Sequence, residues 1–264
     1  MSRISKTFDQ LRRAGKKALI PFITAGYPDL STTKKLIFEF AACGADLLEL
    51  GVPFSDPMAD GPLIQYASEK SLSHGTSLED ILRLVTTVRR KTSIPIILMG
   101  YYNPFFKFGL EQFTREAGRA GIDGVLAVDL PPEEAAEMKS FTDRAGLDLI
   151  FLLAPTSGPD RIDSIVKHAT GFIYYVSLTG VTGVRSTLDR SIRQQIETIR
   201  KKSSLPIGVG FGISTPEHAK TVARWADAVV VGSALIKIIS ECKATREMVQ
   251  KTGHFIRALK MAMK

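Results

Sequence analysis

The chain has 264 residues, 44% hydrophobic and 23% charged, with a formal net charge of +8 and two cysteines. That size and balance allows a full buried core and excludes a disordered chain or a disulfide-stapled miniature. No apolar run approaches the roughly 18 residues of a membrane span, and the start MSRISKTFDQLRRAGKK lacks the apolar centre of a secretory signal, so a soluble cytoplasmic protein is expected.

The first pattern, from about Arg3 to Arg13, reads as a helix, and the apolar run ALIPFITA after it reads as a strand with Phe22 near its end. Ser31 then precedes the helical stretch TTKKLIFEFAAC, which Gly44 closes. The second strand run, LLELGVP, carries Glu49 in its middle and leads into FSDPMADGPLIQ, which holds Asp56 and Asp60. Ser77 opens LEDILRLVTTVRRK, with acids in its first turn and bases in its last, as the helix dipole favours. Further strand runs follow in IPIILMGY, GVLAVDL, LIFLLAP, FIYYVSL, PIGVGFG and AVVVGSA. Cys43 and Cys242 lie in helical stretches without C-x-x-C spacing and are expected to be reduced packing residues.

A weak repeat marks the helix-to-strand turns. Gly44-Ala45-Asp46, Gly121-Ile122-Asp123, Gly146-Leu147-Asp148 and, without the glycine, Ala226-Asp227 each precede a strand run. Glycine supplies the left-handed helix cap, the next residue folds back on the last turn, and aspartate enters the strand. Continuously apolar strands alternating with helices imply a parallel sheet covered on both faces, and eight such units in this length fit an α/β fold, a closed (β/α)8 TIM barrel capped by the extra N-terminal helix, as one domain over residues 1–264. A doubly wound open sheet is the alternative. In a barrel, chemistry sits at the C-terminal strand ends and in the loops after them.

Two glycine clusters fall at such ends. GVGFGISTPEH places Gly208, Gly210 and Gly212 before a strong helix start, and VVVGSALIKII places Gly232 and Ser233 where the last run becomes a helix. Backbone N–H groups there can approach an anion closely, and barrels most often bind phosphate after their seventh and eighth strands, so the pair reads as a phosphate cradle. The alternative is a pair of tight turns that need glycine for positive φ. The loop SLTGVTGVRST, with Gly180 and Gly183 around Thr182, has the composition of a closing lid or of a merely flexible loop. Phe22, Met99, Tyr101, Tyr174 and Phe211 mark strand ends; each alone reads as core, but together they make a flat apolar slot beside the phosphate cradle, suited to an aromatic substrate with a phosphorylated tail.

The acids complete the picture. If Glu49 points into that slot, burial raises its pKa towards neutrality, where a carboxyl gives a proton and later takes one; a salt bridge to a lysine or arginine is the alternative. Asp60, in a loop with Pro57, Gly61 and Pro62, is expected to be better hydrated and ionised, while Asp56 caps or braces the loop. The histidines are scattered, and no H-E-x-x-H or G-x-S-x-G occurs, so neither a metal site nor a serine nucleophile is indicated. The basic clusters RRAGKK, VRRK, IRKK and the tail RALKMAMK fall near helix ends without aromatic interleaving, which reads as solvated surface and not as a nucleic-acid site.

DLLELGVPFSDPMADGPLIQ, with TGVTG, GFGIS and GSALIKII, closely resembles the tryptophan synthase alpha subunit family over essentially the whole chain. The resemblance implies reversible cleavage of indole-3-glycerol phosphate to indole and glyceraldehyde 3-phosphate. It implies Glu49 and Asp60 as the catalytic pair, and Phe22, Met99, Tyr101, Leu126, Tyr174, Thr182 and Phe211 around the substrate. Gly183, Gly212, Gly232 and Ser233 would hold the phosphate, with no metal. It further implies a beta-subunit partner in an alpha2beta2 complex, with pyridoxal phosphate in that partner and no cofactor in this chain.

Overall fold

The computed structural model describes residues 1–176, 185–210 and 212–264, with the backbone alone over 185–191. Helix α1 (Arg3–Arg13) comes first, capped by Ser2, whose hydroxyl accepts the Ser5 N–H. Nine strands follow: β1 (Ala18–Thr24), β2 (Leu48–Gly51), β3 (Ile96–Gly100), β4 (Gly124–Ala127), β5 (Asp148–Leu149), β6 (Phe151–Leu153), β7 (Ile173–Val176), β8 (Ile207–Gly210) and β9 (Ala228–Val231). All pairings are parallel, in the order β5-β4-β3-β2-β1-β9-β8-β7-β6. Only Ile150 separates β5 from β6, and its N–H donates to the Val125 carbonyl at 2.9 Å. The fifth apolar run is therefore one interrupted strand, and the two ends of the sheet meet in the (β/α)8 barrel that the sequence implies.

The strands are fully apolar because both of their faces are buried. Inward-pointing side chains alternate along each strand and fill the barrel with Ile20, Leu47, Ile97, Leu126, Ile150, Phe172 and Val230. Ile4 and Phe8 of α1 join this inner cluster and plug its N-terminal end, each burial worth about 1.5–3 kcal/mol. Outward-pointing Leu19, Leu48, Leu98 and Val229 belong to a second core shared with the helices.

Helices α2 (Leu30–Ala42), α3 (Pro62–Ser73), α4 (Leu78–Arg89), α5 (Tyr102–Phe108), α6 (Leu110–Ala120), α7 (Ala136–Ala145), α8 (Pro159–His168), α9 (Arg185–Lys202), α10 (Pro216–Ala223), α11 (Ser233–Ser240) and α12 (Thr245–Ala262) complete the described elements. Two local readings need correction. The cap of α2 is Asp29 and not Ser31, because the Asp29 carboxylate accepts the Thr32 N–H at 2.7 Å. The Asp60 loop ends in a helix of its own, α3, begun by Pro62, whose missing N–H costs nothing at a first turn. Ser77 and Asp80 form the expected capping box of α4. Gly44, Gly121 and Gly146 all take positive φ, at 100°, 94° and 70°, so the repeated turns are built as the sequence suggests. Among the described residues, no helix is long and apolar enough to cross a membrane. Both cysteines are free and buried.

Candidate active site

The register of the first two strands sets the site. Phe22 pairs with Glu49 across β1 and β2, and Thr24 pairs with Gly51, so all four point to the barrel interior at its C-terminal end. Gly51 is required there: a Cβ on it would come within 2.6 Å of the Phe22 ring, which lies across the position. Gly232, just after β9, also lies close to that ring, since a Cβ added there would come within 3.3 Å of it. Likewise Gly210 leaves room for the Tyr174 hydroxyl, which an added Cβ would meet at 2.3 Å.

Glu49 has no exposed surface, and among the described residues neither of its carboxylate oxygens has a hydrogen-bond partner. Among the described residues no lysine or arginine pairs with it, which removes the salt-bridge alternative there. Burial alone pushes its carboxyl up to about 8. Tyr174 is also buried, and desolvation followed by the nearby Glu49 charge raises its hydroxyl well above the ordinary value.

Asp60 differs from the sequence expectation in one respect. It is half-buried, and burial pushes its carboxyl up to about 6, a rise that the neighbouring Tyr101 hydroxyl opposes. The Tyr101 hydroxyl also accepts the Ala59 N–H at 2.8 Å, and its ring stacks on Phe54 with centroids 5.1 Å apart. Tyr101 is thus a clamp on the acidic loop as well as a wall. Nothing in its strand pattern distinguishes the two roles. Asp56 is exposed and accepts a hydrogen bond from Ser55, a brace within the loop.

Phe22, Asp60, Met99 and Tyr101 line one cleft, together with Thr24 and Ser68, which sequence reasoning did not single out. Period-two alternation would have found Thr24, since it lies two residues beyond Phe22 on the same face. Leu126 is fully buried and packs with Tyr174 and Met99 in the inner cluster. Beside Phe22, at the end of the neighbouring strand β9, Gly232 caps α11 and exposed Ser233 begins it, so the first turn there leaves backbone N–H groups without intrahelical partners. Gly212, after β8, takes a φ of 74°, as the tight-turn reading requires and as a phosphate cradle permits. Thr182, Gly183 and Phe211 lie outside the described residues. Among the described residues no group of three or more His, Cys, Asp or Glu is arranged to hold a metal.

Fold and site together define a (β/α)8-barrel enzyme with two unlike carboxyls at its C-terminal mouth. The family model described as tryptophan synthase alpha chain matches residues 8–264. A tryptophan synthase alpha chain from Citrifermentans bemidjiense is 55% identical over 263 residues, covering 100% of this chain and 98% of its own. One from Geotalea uraniireducens is 56% identical over 264 residues, again covering 100% and 98%. Among solved structures, tryptophan synthase subunit alpha from Legionella pneumophila superposes with a TM-score of 0.93 at 42% identity, covering 100% of this chain and 98% of that one. The chain belongs to the tryptophan synthase alpha chain family.

Proposed function

We propose that this chain, a single barrel domain over residues 1–264, cleaves indole-3-glycerol phosphate reversibly to indole and glyceraldehyde 3-phosphate. The observation that carries the reading is Glu49: an acid fully buried, without a hydrogen-bond partner among the described residues, and protonated at neutral pH because burial pushes its carboxyl up to about 8. Such a group gives a proton in one step and accepts one in the next. Glu49 delivers its proton to C3 of the indole ring. The electron pair for the new C–H bond comes from the ring, and positive charge develops at the ring nitrogen.

Asp60, ionised above about 6, accepts the ring N–H and stabilises that charge. Glu49, now a carboxylate, takes the proton of the side-chain hydroxyl. The carbon–carbon bond then breaks, its electrons return to the ring, and the aldehyde leaves. Phe22, Met99, Tyr101, Leu126 and Phe211 enclose the ring, while Tyr174 and Thr182 position it. Gly183, Gly212, Gly232 and Ser233 hold the phosphate, to which the first turn of α11 adds its N–H groups.

The family name further supports a beta-subunit partner in an alpha2beta2 complex, which would carry pyridoxal phosphate and join the indole to serine. Indole release by the purified chain, measured with and without a cognate beta subunit, tests the reading. Wild type should form indole, and Glu49→Gln should lose about 10²–10⁴ of the rate while still binding substrate. No indole from wild type in either condition would remove the assignment.

A further inference from the structure

Thr24 closes β1 at the site, and its hydroxyl is unusual. It is 1% exposed, and among the described residues its Oγ1 and the two carboxylate oxygens of Glu49 are the buried side-chain oxygens left without a hydrogen-bond partner. A strand threonine has an easy substitute of nearly the same shape, because valine packs as well and brings no polar atom. A buried hydroxyl with no partner works against folding, so its presence is explained only if a partner arrives later.

The cleft says which partner. Thr24 and Asp60 line the same space, walled by Phe22, Met99 and Tyr101. An indole ring there offers one polar group, its N–H, and that proton is directed to Asp60. An ionised carboxylate has about four acceptor positions. The ring N–H takes one, so positions remain for another donor. With nothing bound, the cleft encloses about 10 Å³, roughly enough for a single water.

Resting on the proposed function, we propose that Thr24 is a positioning residue: in the substrate complex its hydroxyl donates to the Asp60 carboxylate, directly or through one water, and aims that carboxylate at the ring N–H. Tyr101 holds the Asp60 loop through the Ala59 N–H, and Thr24 holds the carboxylate itself from the barrel side. The carboxylate then cannot swing away as positive charge builds on the ring.

Steady-state indole release and thermal unfolding of wild type, Thr24→Val and Thr24→Ser test this. A hydrogen bond to a charged group carries a factor of about 10–100 in rate. Thr24→Val should therefore lose about that factor in kcat/KM, with most of the loss in kcat, while its Tm equals or exceeds that of wild type. Thr24→Ser, which keeps the hydroxyl, should stay within about threefold of wild type. In an Asp60→Asn background, Thr24→Val should cost almost nothing more, since the acceptor it aims is gone.

Wild-type kinetics in Thr24→Val, equal losses in the valine and serine variants, or an additive loss in the Asp60→Asn background would each overturn the proposal. If Thr24→Val does not fold, Thr24→Ala against Thr24→Ser gives the same comparison. Wild-type turnover separates the two readings. Its absence overturns the function and this role with it, whereas wild-type turnover with an unaffected Thr24→Val overturns the role alone.

Discussion

Glu49 holds both oxygens out of water with nothing among the described residues to bond them, and two pH dependences follow from that one fact. The first concerns rate. The reaction needs Asp60 ionised and Glu49 protonated, so kcat/KM should rise through about 6 and fall through about 8, and a pH–rate profile checks both limbs. The second concerns stability. The folded-state pKa of Glu49 is raised above its ordinary 4.5 to about 8. Below 4.5 both states are protonated and the group is neutral in its effect; between the two values the unfolded chain releases the proton that the folded chain keeps. Stability is therefore lost as pH rises through this window, by about 1.4 kcal/mol per pH unit, and levels off above 8. Glu49→Gln cannot titrate, so its stability relative to wild type should climb over the same window in urea unfolding, and a flat difference would show that the burial penalty is absent. An acid inside a strand run was legible in the sequence because hydrophobic context around a carboxylate is so costly. The partial burial of Asp60 was not, because it depends on the fold of the loop back onto Tyr101, a contact between residues 41 positions apart in the chain.

At the level of elements, the aspartates of the helix-to-strand turns do a shared job. Asp46 accepts the Leu19 N–H at 2.7 Å, Asp123 the Ile96 N–H at 2.8 Å, and Asp227 the Ile207 N–H at 3.0 Å. Each ties the start of its own strand to the neighbour, and each also meets a cation from a distant element: Lys260 for Asp46, Arg3 and Arg89 for Asp123, Arg200 for Asp227. Asp148 instead accepts the Ser2 hydroxyl at 2.6 Å, so the cap of α1 is pinned to the barrel base. The repeat was visible as Gly-x-Asp, and the glycines behave as the pattern requires. The cations were invisible, since a run of basic residues gives no sign of which member folds onto which carboxylate. Part of the positive charge that reads as plain surface is therefore structural. Asp123 is the most demanding case, with its side chain only 4% exposed and Arg89 12% exposed beside it. Removing the carboxylate leaves the Arg89 guanidinium without its partner, so Asp123→Ala should lower unfolding free energy by about 3–5 kcal/mol in a denaturant titration. The site lies at the opposite end of the barrel, so kcat should remain within about twofold in whatever fraction is folded, judged against the usual independence of distant sites.

Seen whole, the described residues expose six large apolar side chains: Met1 and Met261 near the chain ends, Leu72 on α3, and three more after β2 and β3. Met58 is 87% exposed, Phe106 57% and Tyr66 45%, and all three follow the C-terminal ends of β2 and β3 in chain order. Such residues gathered beside an active-site mouth mark a contact surface more than they mark loose packing. Tyr102 and Phe106 lie ring to ring at 5.8 Å on α5, which gives the rim a firm aromatic edge, and α5 is itself tied to the barrel because the Asp129 carboxylate accepts the Tyr102 N–H at 2.7 Å. The same loop that shows Met58 to solvent carries Asp60 and is held by Tyr101, so a partner that seats on Met58 and Phe106 also fixes the acceptor carboxylate. The proposed beta subunit on this rim would couple docking to turnover through ordering of that loop, and linkage requires that substrate in turn tighten the complex. Phe106→Asp places a charge on the exposed edge and touches none of the groups assigned to the reaction. It should leave indole release by the isolated chain within about twofold, yet weaken the complex by about 2 kcal/mol or more, the cost of truncating an aromatic anchor at an interface. Titrating a cognate beta subunit into wild type and Phe106→Asp, with indole release as the readout, separates the two effects: stimulation that saturates at the same partner concentration in both would place the contact elsewhere, and a shift of the midpoint by about 30-fold or more, the equivalent of that energy, would place it on this rim.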